Sequence, residues 1–265
     1  MKTKSRIASI VKATSLDLSI NGIQSFDLSE LILPTGLEFR LPTNLRLGHL
    51  VEKIVSELIK SSTNYKVLYE NIQVIEDKKT IGEIDFIIED EKTKQVIHLE
   101  LAYKFYLFDP NISTEPLNNW IGPNRNDSLI EKLEKLKTKQ FPLLHHKLVK
   151  SQFNTIEIDN VSQALCLLVS LYIPYEYKAI FNPIYEKAIK GYYVKMETFI
   201  SQDNLAKTYY IPSKKEWGID PSQNENWTDF KGVEKQINNS IAEKQALLCW
   251  QKHKETYLTF FIVWW

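Results

Sequence analysis

The sequence predicts an α/β fold of the α+β type, in which helices flank a central mixed β-sheet and an α/β extension follows at the C-terminal end. Apolar residues recur at helical spacing in residues 44–62, which predicts an amphipathic helix. Three extended runs rich in Val, Ile, Tyr and Phe follow between residues 65 and 108, separated by short charged or glycine-containing breaks. The order of helix and three-strand meander therefore predicts the first half of a core sheet.

The remaining core elements are predicted from turn residues and a second apolar run. Residues 109–124 contain several prolines and asparagines and are expected to form a loop. A helix is predicted from Asn126 or Asp127 onward, and Pro142 should kink or split it because proline lacks the backbone N–H of a helix interior. The run at residues 164–175 predicts a buried strand that completes the core.

The second half of the chain is predicted to extend this core. Strands are expected at residues 191–200, 207–219 and 256–265, and a helix at residues 229–255 with Ile237, Ile241, Ala246 and Trp250 facing inward. The last strand is apolar on both faces, so we expect it to be covered on both sides. The predicted segments are thus an N-terminal segment 1–43, a core 44–175 and a C-terminal extension 176–265.

Composition favours a globular protein in the cytoplasm. The chain of 265 residues is 43% hydrophobic and carries 33 basic and 33 acidic residues, so any nucleic-acid interface must be local. Its two cysteines fit a reducing compartment, and Cys166 lies in a predicted buried strand, where it is expected to act as a small hydrophobic residue. The apolar runs are shorter than the roughly 18 residues that span a bilayer, which predicts no membrane partner.

Missing motifs exclude several classes of enzyme. The glycine spacing matches neither the dinucleotide-binding nor the phosphate-loop pattern, and no G-x-S-x-G motif occurs. The five histidines lack the companions of a zinc site, and the adjacent His145 and His146 are expected at the surface.

Acidic residues inside two of the predicted strands indicate a functional site. Asp85 lies in "GEIDFIIED" and Glu100 in "QVIHLELAYKFYLF". Residues two apart on a strand share a face, and a hairpin pairing would bring the two carboxylates together. Two ionised carboxylates in an apolar sheet repel each other and lose hydration, and a divalent cation relieves both penalties. Oxygen ligands at a partly open site predict Mg²⁺, or Mn²⁺ in its place.

Two helical residues are predicted to complete the site. Glu52 borders the apolar stripe of the first helix, and Gln140 occupies a position on the apolar stripe of the second where a hydrophobic residue is expected. Each also has a structural interpretation: Glu52 could be a solvated helix edge, and Gln140 could satisfy a kink before Pro142.

The motifs "RLGHLVEKI", "ENIQV", "GEIDFII", "HLELAYKFYL" and "WIGPNRNDSLIEKL", with a following Gln, resemble the bacterial domain-of-unknown-function 1853 family over residues 44–145. That family is placed within the PD-(D/E)XK superfamily of restriction-endonuclease-like nucleases. The resemblance implies a restriction-endonuclease-like core in which Glu52, Asp85 and Glu100 bind the metal. Asp85, Glu100, a lysine and Gln140 would be catalytic.

The sequence departs from the superfamily pattern at the lysine. The usual position, two residues after the glutamate, is Ala102, and Lys104 lies one strand period further on the same face. In the active interpretation Lys104 stabilises charge in the transition state and Gln140 orients the lysine or a phosphate. In the alternative, Lys104 only ends a strand with its ammonium in solvent.

A local excess of basic residues predicts where nucleic acid would bind. Lys132, Lys135 and Lys139 lie along the predicted second helix, although their alternation with glutamate also fits an ordinary solvated face. Trp120 and Arg125 flank a Gly-Pro turn and could stack on and clamp a nucleotide, or could cap the helix and pack on the core.

Two functions from different classes follow from the sequence. The first is a Mg²⁺-dependent, nuclease-like phosphodiester hydrolase that acts on DNA rather than RNA. The second is a catalytically degenerate nuclease fold that binds nucleic acid or protein. The two hypotheses differ in metal dependence, and the sequence predicts no oligomeric state.

Overall fold

The computed structural model describes residues 3–150, 152–153, 156–201 and 206–265. The fold is mixed α/β with a central mixed sheet of many strands flanked by helices, as the sequence predicts. Within those ranges, none of the helices combines the length and apolar character required to cross a bilayer.

The helices, in chain order, are α1 (Thr3–Val11), α2 (Leu47–Ser61), α3 (Leu129–Lys135), α4 (Lys147–Lys150), α5 (Pro183–Glu186), α6 (Met196–Ser201) and α7 (Phe230–Ala242). The strands are β1 (Thr14–Ser15), β2 (Gln24–Ser25), β3 (Tyr65–Glu76), β4 (Lys79–Asp90), β5 (Val96–Phe108), β6 (Trp120–Ile121), β7 (Ser162–Pro174), β8 (Ile189–Lys195), β9 (Thr208–Tyr210), β10 (Leu247–His253) and β11 (Thr256–Val263).

The chain forms two compact units, and each is discontinuous in sequence. The first unit comprises Ser15–Tyr103 and Lys132–Leu168, and the second comprises Met1–Thr14, Lys104–Glu131 and Val169–Trp265. This division differs from the contiguous segments 1–43, 44–175 and 176–265. The physical reason is that the long strands β5 and β7 each contribute residues to both units.

The first unit is built on the predicted meander. Strands β3 and β4 form an antiparallel hairpin, and β4 pairs antiparallel with β5 in the register Phe86 to Leu99 and Ile87 to His98. Helix α2 buries its apolar stripe, as its spacing predicts, with Ile54 and Val55 both 0% exposed. These elements fix the two strands that carry the acidic residues.

The predicted second helix begins at Leu129 and then changes its winding twice. After α3, residues Leu136–Gln140 form a π-helical turn that is closed by the Phe141 N–H donating to the Leu136 carbonyl. Residues Phe141–His145 continue as a 3₁₀ helix, with Pro142 in its first turn. Proline is tolerated there because its missing N–H has no helical acceptor to satisfy. Pro142 therefore splits the helix by changing its type.

The second unit contains three corrections to the prediction. Strand β8 ends at Lys195 and helix α6 follows, so residues 191–200 are not one strand, and only Thr208–Tyr210 of residues 207–219 is extended. Helix α7 ends at Ala242, and Trp250 lies on β10 instead. A left-handed Lys244 (φ 54°) stops the helical course, and the consecutive apolar residues after it form a buried strand.

The core of the second unit covers the C-terminal strand. Strand β11 lies between β8, to which it is parallel, and β10, to which it is antiparallel. Phe260 and Ile262 pack with Val233 and Ile237 of α7, whereas the Phe261 ring meets Tyr172 on the other face. The prediction that this strand is covered on both sides is confirmed for Phe260–Val263, all at most 1% exposed.

Candidate metal and phosphate site

Asp85 and Glu100 occupy neighbouring strands of the first unit. The antiparallel register of β4 and β5 ends at the pair Phe86 and Leu99, and Asp85 and Glu100 are the next residues on the two strands. The Asp85 side chain enters this strand pair, because its Oδ2 accepts the Leu101 backbone N–H at 2.8 Å. The sheet therefore brings the two carboxylates together on one face, as the alternation of side chains predicts.

The electrostatic environment of Asp85 reflects this arrangement. Burial raises the pKa of Asp85 well above its usual range, and the negative charges of Glu100 and then Glu52 raise it further. The Leu101 N–H and the Lys132 ammonium lower the same pKa, but they do not offset the increase. Two neighbouring carboxyl groups thus act on Asp85, with partial compensation by Lys132.

Glu100 is held by hydrogen bonds although it is fully buried. Its side chain is 0% exposed, and its Oε1 lies 2.9 Å from the His98 Nε2. Its Oε2 accepts the Gln140 Nε2 at 2.5 Å. Each carboxylate oxygen therefore has a partner, which is what a buried charged group requires.

The direction of each bond in this network follows from its chemistry. The Phe141 carbonyl can only accept, so the Gln163 atom that lies 2.8 Å from it is the amide nitrogen, which also donates to the His98 Nδ1 at 3.1 Å. With Nδ1 accepting, the neutral His98 ring carries its proton on Nε2 and donates to Glu100. Likewise the Lys132 ammonium can only donate, so the Gln140 atom 3.0 Å from it is oxygen and the other is the donor to Glu100.

A pocket of about 270 Å³ opens beside these groups. It is lined by Asp85 and Glu52, by the lysines Lys135 and Lys139, and by Gln140. The Glu52 Oε2 also contacts the His49 Nδ1 at 2.9 Å, one helical turn away on α2. Gly82 lies at the same pocket, where a Cβ would be 2.3 Å from the Leu143 Cδ1, so glycine permits the close approach of the hairpin to the 3₁₀ turn. Acidic and basic side chains therefore share one opening.

Lys104 is engaged elsewhere in the second unit. Its ammonium lies 2.7 Å from the Asp127 Oδ2, and the lysine side chain in this ion pair is 36% exposed. Gly122 makes room for this acid, since a Cβ there would be 2.0 Å from the Asp127 Oδ1. The expectation that the Lys104 ammonium turns toward Glu100 is therefore not what the structure records.

The predicted nucleotide clamp also takes a different form. Trp120 is 0% exposed and packs against Phe108 and Phe181 in an aromatic cluster. Its indole is therefore not accessible to a base, and the stacking alternative is wrong. Arg125 donates to the Asp109 Oδ2 at 2.8 Å, and its guanidinium lies 4.6 Å from the centre of the Trp265 ring. Trp120 thus follows the core-packing alternative, whereas the Arg125 side chain is 37% exposed and forms an ion pair.

The oxygen-rich donor set fits a hard divalent cation. Within the ranges that the structure describes, no group of three or more His, Cys, Asp or Glu side chains is gathered closely enough to enclose a metal ion. Mg²⁺ needs only one or two carboxylates, because water and substrate phosphate fill its other positions. Asp85 and Glu52 face the pocket and meet this requirement, whereas Glu100 would first have to exchange a hydrogen-bond partner.

Comparison with protein families places the chain. The family model described as Domain of unknown function (DUF1853) matches residues 9–257. The chain belongs to the DUF1853 family. The match includes most of the C-terminal half as well as residues 44–145. Searches of curated proteins and of solved structures gave no match.

Three residues at the site of this DUF1853 protein were not predicted from the sequence. His98 lies on the strand face of Glu100 and is 0% exposed, and a buried histidine two positions from a buried acid could have indicated the pair. His49 precedes Glu52 by three positions, which is a contact distance on a helix. Gln163 is the second residue of β7, and its role depends on strand order, which no local pattern in the sequence specifies.

Proposed function

We propose that this DUF1853 protein is a Mg²⁺- or Mn²⁺-dependent phosphodiester hydrolase that acts on DNA, with the restriction-endonuclease-like core of the PD-(D/E)XK superfamily. One observation carries the proposal: a fully buried Glu100 is held by directed hydrogen bonds beside Asp85, whose carboxyl opens into a pocket shared with Glu52. Burying acids together lowers the stability of the fold, and such clusters therefore indicate a functional site.

The carboxylates would hold the cation: Asp85 and Glu52 line the pocket, and Glu100 would join them by exchanging a hydrogen-bond partner. When bound, a divalent cation lowers the pKa of a coordinated water and polarises the phosphate. The chain's own contribution is positioning. The Leu101 N–H fixes one oxygen of Asp85, and His98 and Gln140 fix the orientation of Glu100.

The basic side of the pocket supports a phosphate substrate. Lys135 and Lys139 are one helical turn apart in sequence and both line the same opening as the acids. A phosphodiester carries one negative charge, which suits such a pair.

The two buried free cysteines, Cys166 and Cys249, fit a reducing compartment, and we propose that the protein is cytoplasmic.

The second candidate is a binding module that has lost catalysis. The specific observation in its favour is the lysine position: Ala102 is buried and 6% exposed, and Lys104 is paired with Asp127. Under this alternative, nucleic acid or a protein would bind with no requirement for metal.

Metal titration separates the two functions. We expect Mn²⁺ or Mg²⁺ to raise the melting temperature of the wild type and to bind measurably by calorimetry, because a ligand of the native state stabilises it by mass action. Asp85→Asn should lose both responses. Glu91→Gln is the control, since Glu91 is a surface acid paired with Lys94 in the same unit.

The substrate is tested by cleavage assays with single-stranded, duplex and branched DNA, and with RNA of the same sequence. Metal-dependent cleavage of DNA that Asp85→Asn abolishes is the expected result. Metal-independent binding of nucleic acid without cleavage would instead select the binding module.

A further inference from the structure

Lys132 and Gln140 meet across an unusual helical distance. They are eight positions apart, which on a regular α-helix is about 12 Å of rise and about 80° beyond two full turns. Their side chains are nevertheless joined by a hydrogen bond of 3.0 Å. The π-helical turn at Leu136–Gln140 contains an extra residue per turn and so changes the direction in which Gln140 points.

The position of the Gln140 amide is determined by a closed series of contacts. From Lys132 the hydrogen bonds run through Gln140 to Glu100, then to His98 and Gln163, and end on the carbonyl of Phe141, the residue after Gln140. The part of this series from Gln140 to Phe141 closes into a ring through one peptide bond, which restricts its members. Gln140 is therefore a fixed acceptor for the Lys132 ammonium.

The charge of Lys132 is directed at the carboxylates. Lys132 is linked to Glu100 through the Gln140 amide, and its ammonium lowers the pKa of Asp85. Lys135 and Lys139 line the adjoining pocket, and Lys104 belongs to an ion pair with Asp127. The Lys132 ammonium donates to the Gln140 amide oxygen, which helps to fix its position, and a preorganised charge is most effective where negative charge develops.

We propose that Lys132 is the catalytic lysine of this site, contacting the phosphate group that is cleaved, and that Gln140 is its positioning residue. This inference rests on the proposed phosphodiester hydrolysis. In that step the oxygen of a water forms a bond to phosphorus, the bond from phosphorus to the leaving oxygen breaks with its electron pair on that oxygen, and the water protons go to the leaving oxygen and to solvent. Lys132 stays protonated throughout and stabilises the added charge on the phosphate oxygens.

Lys132→Met tests the role, with Lys137→Met as the matched control. Lys137 is an exposed lysine of the same helical segment that donates to the Asn21 carbonyl. We expect Lys132→Met to lower kcat by about 100-fold or more, as the loss of one preorganised donor typically does. Lys132→Arg should recover part of this loss, and Lys137→Met should stay within about twofold of the wild type.

Binding without turnover gives a second measurement. With Ca²⁺ in place of Mg²⁺, fluorescence anisotropy of a short DNA oligonucleotide should show about 3- to 10-fold weaker binding for Lys132→Met, since one phosphate contact is lost. The affinity for Mn²⁺ alone should be unchanged or higher, because a nearby positive charge has been removed. Circular dichroism and melting temperature establish that each variant is folded.

Gln140→Met tests the positioning role by coupling. It should lower kcat with little change in KM, and the double variant Lys132→Met/Gln140→Met should lose clearly less than the product of the two single losses, because Gln140 acts partly through Lys132 and partly through Glu100. Losses that multiply would show that Gln140 does not act through Lys132.

The outcomes separate this inference from the proposed function. If the wild type cleaves DNA and Lys132→Met cleaves and binds equally well, Lys132 is not the catalytic lysine while the hydrolase stands. If the wild type cleaves nothing with any metal, the proposed hydrolase function fails. Weaker oligonucleotide binding by Lys132→Met, but not by Lys137→Met, would still support the phosphate contact. Equal binding by both proteins, or no binding by the wild type, overturns the inference.

Discussion

The hydrogen bond from Gln140 to Glu100 should be a measurable source of stability in the metal-free protein. Gln140→Met keeps the approximate volume of the side chain but removes the donor, which leaves the Oε2 of a 0% exposed carboxylate without this partner. A hydrogen bond to a charged group contributes about 1.5–3 kcal/mol. For a chain of 265 residues this corresponds to a decrease in melting temperature of roughly 3–6 °C.

Urea unfolding of four proteins isolates the interaction. The wild type, Gln140→Met, Glu100→Gln and the double variant form a cycle whose coupling free energy should be about 1 kcal/mol or more. Mg²⁺ should return part of the stability of Gln140→Met, since a cation replaces the missing donor at Glu100. A Gln140→Met protein that unfolds within about 0.5 kcal/mol of the wild type, with no coupling, would refute the reasoning.

Three further predictions concern other parts of the chain. Because the native pKa of Asp85 is raised above 3.8, the folded state binds its proton more tightly than the unfolded state does. The free energy of unfolding should therefore fall as pH rises from about 3.8 toward the native pKa. Asp85→Asn should remove this decrease and be more stable than the wild type in metal-free urea unfolding at about pH 7. Deleting residues 260–265 removes four side chains that are at most 1% exposed and should cost about 6 kcal/mol or more, and a truncated protein that melts like the full chain contradicts the burial. Burial raises the pKa of the thiols of Cys166 and Cys249, so a thiol reagent at pH 8 should react with them only in denaturant, and rapid labelling of the native protein would argue against this.

The fold of the first unit could be predicted because its local patterns agree. Helix α2 and strands β3, β4 and β5 each combine the expected period with turn residues at their ends. The second unit was harder, since "EKQALLCW" continues the composition of helix α7 although its consecutive apolar residues favour a strand. Likewise Met196 and Glu197 are good helix formers inside a run that otherwise alternates.

The site was predictable only as far as side-chain faces determine contacts. Strand alternation was enough to place Asp85 with Glu100, and the apolar stripe of the second helix singled out Gln140 as an exception. Whether Lys104 meets Glu100 or Asp127 depends on how the loop around Gly122 closes, which is a long-range property. The burial of Trp120 in an aromatic cluster has the same origin.

The π-helical turn makes the length of the chain between two residues a chemical property of the site. A turn closed from Phe141 to Leu136 holds one residue more than an α-helical turn. Removing one residue from 136–139 would shorten the spacing from Lys132 to Gln140 to seven, which on a regular α-helix is about 20° short of two full turns, so an uninterrupted α-helix would keep the two side chains on one side. Inserting a residue into this turn would instead rotate Gln140 by about 100° away from Lys132. Lys132 and Gln140 would then both remain in the gene but no longer face each other, whereas substitutions on the exposed side of the same turn would leave their contact in place.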